Sequence, residues 1–232
     1  MLLGYMCGRI FCTLEPSFIQ TELNLKSVRN AEKIKSAYNI GPTSYVPVVI
    51  HKEAVLEGMK WGFSSPSAPF IINGRSEEAT EKPTFSHLLN SHRCYIVCEG
   101  YYEWKEDKQK SGFVFKPKDS KFFLIAALYR IVNDEKQVIL LTKEANDFLL
   151  SVHHRMPVIL TPSLLEKWNS SLDYKAFMES VEMELYADCI DFYRVSSRVN
   201  NIRNDGKECI EPYKETTNTI MNYFKKRKVE EQ

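Results

Sequence analysis

β-forming runs follow one another along this chain, and the helical stretches between them are few and short. Tyr45 to Ile50, Ala54 to Phe63, Arg93 to Trp104, Phe122 to Ile131 and Gln137 to Thr142 all carry the β-branched and aromatic residues that suit a pleated, half-buried surface. Asn133-Asp134 separates the last two and predicts a hairpin turn. A doubly wound parallel sheet needs repeated βαβ units, which this order does not supply. The expectation is an α+β fold with curved antiparallel sheets and peripheral helices. Helices are expected from Thr13-Leu14-Glu15-Pro16 to about Leu23, over Glu81 to Leu89 and over Glu144 to Val152. Another starts at Thr161-Pro162, and a closing helix is expected over Tyr213 to Lys226.

The charge balance limits the partners. Thirty-one Lys+Arg against 30 Asp+Glu exclude a histone-like excess and leave room for a local basic groove. Six scattered cysteines do not form a disulfide framework, and no pair has zinc-knuckle spacing, so neither metal nor cofactor is expected. No signal peptide and no apolar run of membrane-spanning length is read. Lys225-Lys226-Arg227-Lys228-Val229 reads either as a nuclear import signal or as the basic end of the last helix. His51, His87 and His92 lack metal-ligand spacing and read as surface residues; Arg198 and Arg203 are candidates to extend a basic groove.

Chemistry concentrates in a few clusters. Met6-Cys7-Gly8-Arg9 stands near the start, and loss of residues 1–6, by initiation at Met6 or by cleavage, would give Cys7 a free α-amine. An amine with a pKa of about 7.7–8 beside a thiol of about 8.5 is a 1,2-aminothiol, nucleophilic near neutral pH. It condenses with an aldehyde to an imine and then to a five-membered thiazolidine. The competing reading is a buried structural cysteine. Asn73-Gly74-Arg75-Ser76-Glu77 is also readable as a turn, Glu103 in Gly100-Tyr101-Tyr102-Glu103-Trp104 as a surface position, and His153-His154-Arg155-Met156-Pro157 as a helix end.

In their order, these clusters resemble one family. Met-Cys-Gly-Arg, Tyr38-Asn39-Ile40 with Pro42-Thr43, Trp61-Gly62-Phe63, Asn-x-Arg-x-Glu, Glu81-Lys82-Pro83, Gly-Tyr-Tyr-Glu-Trp, Thr142 with Glu144-Ala145-Asn146, His-x-Arg-Met-Pro and Val195-Ser196 through Val199-Asn200 are similar to the SOS-response-associated peptidase (SRAP) family. The resemblance implies a single domain over residues 7–212 with a barrel-like core, and a helix and basic tail over 213–232. It implies covalent capture of abasic sites in single-stranded DNA by Cys7, with Asn73 holding the amine or sugar, Glu103 opening the sugar ring and His153 moving protons. Arg9, Arg75 and Arg155 would grip phosphates, Thr142 would add a hydroxyl, and an exposed Trp61 would pack at the DNA junction. A monomer is expected, with abasic single-stranded DNA and replication-fork proteins as partners, in the nucleus or shared between nucleus and cytoplasm. Two other classes stay open: a cysteine autopeptidase using Cys7 with His153, and a noncovalent reader of modified or single-stranded DNA.

Overall fold

A computed structural model of the chain describes residues 7–65, 68–170, 172–186 and 189–214. Residues 1–6, and the expected closing helix and basic run beyond Lys214, lie outside the described residues. Among the described residues the strands are β1 (Ile10–Cys12), β2 (Ser27–Arg29), β3 (Ala37–Ile40), β4 (Tyr45–Ile50), β5 (Val55–Trp61), β6 (Phe63–Ser65), β7 (Ala68–Ile71), β8 (Asn73–Arg75), β9 (Arg93–Cys98), β10 (Gly100–Trp104), β11 (Gly112–Pro117), β12 (Phe123–Val132), β13 (Glu135–Glu144), β14 (Arg155–Pro157) and β15 (Ile190–Arg194). The helices are α1 (Pro16–Glu22), α2 (Pro83–Ser86), α3 (Asp147–Leu150), α4 (Pro162–Asn169) and α5 (Tyr174–Glu182).

Five strands close on themselves. β5, β4, β9, β12 and β13 pair in that order, and β13 returns to β5 through Gln137 opposite Lys60 and Val138 opposite Trp61. A barrel this small is filled by its own side chains; Val48, Met59, Ile96, Ile125, Ala127 and Leu140 are all fully buried. The β12–β13 turn places both Asn133 and Asp134 at positive φ (49° and 63°), which matches a two-residue hairpin. The pairings β13–β5, β13–β8 and β2–β5 are parallel, an addition to the antiparallel expectation. The strands they join are separated by long stretches of chain, so no hairpin dictates their direction.

A second sheet, β15-β11-β10-β1-β3, is antiparallel throughout. The run Arg93 to Trp104 reads as one strand and folds as two, because the chain passes from the barrel to this second sheet between Cys98 and Gly100. Glu99 marks the crossing, its carboxylate accepting from the Thr13 backbone N–H and hydroxyl. Gly100 is obligatory there: a β-carbon would collide with the Phe11 ring and the Phe115 carbonyl. The helices are shorter than their sequence patterns, α2 and α3 having four residues each. Thr161 does stand at the N-cap of α4 with Pro162 following, although its hydroxyl meets Ser163 rather than the helix backbone.

Candidate active site around Cys7 and Glu103

The second sheet sets the nucleophile beside the acid by register. Ile10 lies opposite Tyr101 and Phe11 opposite Gly100, so two residues further back the chain reaches Glu103. The Tyr102 N–H donates to the Arg9 carbonyl and extends this pairing. Strand alternation then sorts β10: Tyr101 joins the main core with Cys7, while Tyr102 and Trp104 pack on the other face against Phe11, Val114 and Val199. Glu103 shares the Tyr101 face and is 3% exposed, not the surface residue that its neighbours allowed.

The Cys7 backbone nitrogen donates to Glu103 Oε1 at 2.6 Å. Burial pushes the Glu103 carboxyl up to about 7, against the hydrogen bonds from Cys7 that favour the charged form. The same burial, reinforced by the Glu103 charge, drives the Cys7 thiol well above its ordinary value, while the Arg155 guanidinium pulls it back only in part. At neutral pH the thiol is therefore protonated and the carboxyl is divided between its two forms. Cys7 also adopts φ 46°, a left-handed conformation that L residues rarely take.

The barrel delivers the remaining groups. β8 pairs in parallel with β13, setting Asn73 opposite Leu140 and Arg75 opposite Thr142, and β14 lies along the other side with Arg155 opposite Glu144. Asn73, Arg75 and Thr142 line one cavity of about 250 Å³ together with Lys82 and Thr84. Arg75 is exposed and pairs with Glu78, as does Lys82; such surface pairs are weak enough to yield to a phosphate. Arg9 is half-buried, donating to Asn39 Oδ1 at 2.6 Å and the Val199 carbonyl at 3.1 Å, 5.5 Å from the Trp104 ring centre.

Three placements differ from the sequence expectation. Trp61 is 0% exposed and donates from Nε1 to the Ile72 carbonyl at 3.1 Å, so its ring belongs to the core and presents no face to a base. It ends β5 at the seam where the barrel closes, which demands apolar bulk. Arg155 is equally internal: Nη1 and Nη2 each reach Glu77 at 2.9 Å, and Nη2 reaches the Thr142 carbonyl at 2.7 Å. Thr142 is fully buried and its hydroxyl points back at the Gly74 carbonyl. Arg155 and Thr142 thus brace the site from within instead of reaching out as phosphate grips. His153 is half-buried, its Nδ1 lying 3.1 Å from the Arg155 backbone nitrogen and 3.3 Å from the Arg155 carbonyl oxygen. Burial above all holds its pKa below the usual histidine value.

Two further groups prove structural to the site. Glu77 clamps Arg155 and also accepts from the Glu144 N–H at 3.1 Å; its spacing two residues after Arg75 signals it in the sequence. Asn39 donates to the carbonyls of Val199, Asn201 and Asn204, while Asn200 Oδ1 accepts from Trp104 Nε1 at 2.6 Å. The Tyr-Asn-Ile and Val-Asn motifs therefore fasten one loop behind Arg9. Glu77→Gln is expected to lower stability by about 1–3 kcal/mol, since it leaves the buried Arg155 cation without its acid. Urea denaturation measures this, and an unchanged midpoint would refute it.

Fold and site together define a closed five-stranded barrel whose flanking sheet presses a near-N-terminal cysteine against a buried carboxyl group. A family model described as SOS response associated peptidase (SRAP) matches residues 6–202. The chain belongs to this family. The abasic site processing protein YoqW of Bacillus subtilis is 31% identical over 227 residues, covering 90% of this chain and all of that protein. The abasic site processing protein HMCES of Gallus gallus is 25% identical over 264 residues, covering 89% and 78%. A crystal structure of a Bacteroides thetaiotaomicron protein superposes with a TM-score of 0.76 at 18% identity, covering 90% of this chain and 100% of that one.

Proposed function

We propose that this protein processes abasic sites in DNA and does so by covalent capture, with Cys7 as its N-terminal residue once residues 1–6 are gone. The carrying observation is the 2.6 Å contact between the Cys7 nitrogen and the buried Glu103 carboxyl. The names and similarity of the relatives support the lesion; the geometry supports the chemistry. Abasic deoxyribose is mostly a closed hemiacetal, and its aldehyde appears only when the ring opens. A carboxyl group near pKa 7 both gives and takes a proton at neutral pH, as that opening requires. The Cys7 amine then adds to the aldehyde carbon, and the hydroxyl leaves as water with a proton from Glu103. The thiol next adds to the imine carbon, and its proton passes to the nitrogen. Amine, thiol and aldehyde thereby become a thiazolidine plus one water, with no change of oxidation state.

The protonated thiol suits this order, because the amine attacks first and the sulfur closes the ring afterwards. A thiol peptidase instead needs a depressed thiol pKa and a histidine on the sulfur; here Cys7 meets Glu103 while His153 bonds to the Arg155 backbone. In the proposed roles, His153 shuttles protons, Asn73 positions the amine or sugar, and Arg9 and Arg75 hold flanking phosphates. Arg155 and Thr142 support these groups from inside.

Two measurements test the reading. Intact mass of the protein isolated from its natural cells is expected to show Cys7 as the first residue; a working protein that retains Met1 to Met6 would refute the proposed bond. The chain beginning at Cys7, mixed with a single-stranded oligonucleotide carrying an abasic site, is expected to give a retarded band on a denaturing gel. Binding that vanishes on denaturation would favour a noncovalent reader.

A further inference from the structure

A second cationic hollow lies at the other end of β9. Cys98 ends that strand in the same buried core cluster as Cys7, while Arg93 begins it. Five residue steps of about 3.3 Å separate the two ends, roughly 17 Å. The hollow, about 180 Å³, is lined by His51, Lys52, Asn90, Arg93, Asn169 and Ser170 over the Trp168 ring. It offers three cations or potential cations, two amides and a hydroxyl, and none of the residues lining it is acidic.

Its central cation is fixed by neutral partners. Arg93 donates from Nε to the Leu89 carbonyl at 2.5 Å and from Nη2 to the Leu172 carbonyl at 3.1 Å. Its guanidinium lies 5.0 Å from the Trp168 ring centre, and Trp168 is itself held by a 2.9 Å bond to the Cys94 carbonyl. Lys52 reaches the Asn90 carbonyl at 3.4 Å. Among the described residues no ion pair involves Arg93, Lys52 or His51. Of the neighbouring acids, Glu53 pairs with Arg29, and Asp173 caps α5 on the Lys175 N–H while its charge still acts on Arg93. The positive field extends past the rim, for His92 is held below its ordinary pKa by burial and then by His87 and Lys52. With no acid in its lining, such a cluster is suited to an anion.

We propose that this hollow is a second phosphodiester-binding site, distinct from the Cys7–Glu103 site, gripping a nucleic-acid backbone that passes the far end of the barrel. The choice of a nucleic-acid anion rests on the DNA reading above; the seat itself does not depend on Cys7 chemistry.

Lys52→Glu tests it, since Lys52 is exposed and outside the proposed reaction. Affinity for labelled oligonucleotides without an abasic site is measured across a salt series, single-stranded in one arm and duplex in the other. The variant is expected to lower the slope of log affinity on log salt by about 0.7 per lost contact on single strands, or about 0.9 on duplex, and the arm that responds identifies the strand form. Adduct yield at saturating abasic DNA is expected to stay at the wild-type level. Unchanged slopes in both arms overturn the proposal. Loss of adduct in Lys52→Glu overturns the separation of the two sites. A wild-type chain that forms no adduct at all strikes only the Cys7 reading and leaves the slopes interpretable.

Discussion

Cys7→Ser, in a chain that begins at residue 7, is expected to lose the stable adduct entirely while keeping an imine that borohydride traps. The substitution leaves the α-amine beside Glu103 and removes only the sulfur, so the first addition proceeds and ring closure does not. Without the second bond the imine hydrolyses, or the sugar eliminates its phosphate and the strand breaks. The complementary chain keeps Cys7 but retains Met1 to Met6, so it has the thiol and no amine. It is expected to give neither a stable adduct nor a trapped imine. A denaturing gel with and without borohydride reads both chains at once. If the chain with the blocked nitrogen captures DNA as well as the free one, a simple thiol adduct replaces the thiazolidine. If Cys7→Ser still gives the stable band, the sulfur has no part in it.

The position of Cys7 also explains why its partner was hard to read from the sequence. Its neighbour in space is 96 residues away, and only the antiparallel register of β1 on β10 brings them together. Periodicity locates the barrel strands well, since Tyr45 to Ile50 and the β12–β13 hairpin owe their form to local β-propensity and a local turn. It does not show that β10 leaves the barrel, because the run is β-like on both sides of Glu99-Gly100. The cue was Gly100, a strand glycine where another backbone approaches. α5 is not among the expected helices although its cues are present: Tyr174, Phe177 and Val181 form its buried stripe and Asp173 caps it.

Among the site residues, identity was legible and direction was not. An arginine or a threonine in a motif does not say whether it faces a ligand or the interior. Arg155 and Thr142 turn inward because Glu77, arriving on the segment after β8, supplies the acid that a buried guanidinium requires. Trp61 turns inward because the seam between β5 and β13 must be filled. Arg75, with Glu78 as a weak surface partner, keeps its reach toward solvent.

Glu103→Gln is expected to slow adduct formation by about 10²–10⁴-fold, the usual worth of a positioned acid–base group. Glutamine preserves the shape and can still accept from the Cys7 nitrogen, but it neither gives nor takes a proton in ring opening and dehydration. The wild-type rate is expected to carry two ionisations, those of Glu103 and of the α-amine, and the variant's rate only that of the amine. Stability carries an independent signature, best read on the chain that retains residues 1–6, where the Cys7 nitrogen is an uncharged amide. The folded carboxyl sits at about 7 against an ordinary 4.5, so the folded state holds this proton more tightly than the unfolded one. The resulting stabilisation is complete below about pH 4.5 and is lost as pH rises through 7. Its full size is about 3 kcal/mol. Urea midpoints of the wild type should therefore fall relative to Glu103→Gln between pH 5 and 8, by about that much in free energy. On the chain beginning at Cys7 the α-ammonium pairs with the carboxylate, favours its charged form and shrinks this difference. Parallel stability curves for the longer chains, or a Gln variant that captures DNA at the wild-type rate, would remove Glu103 from the reaction.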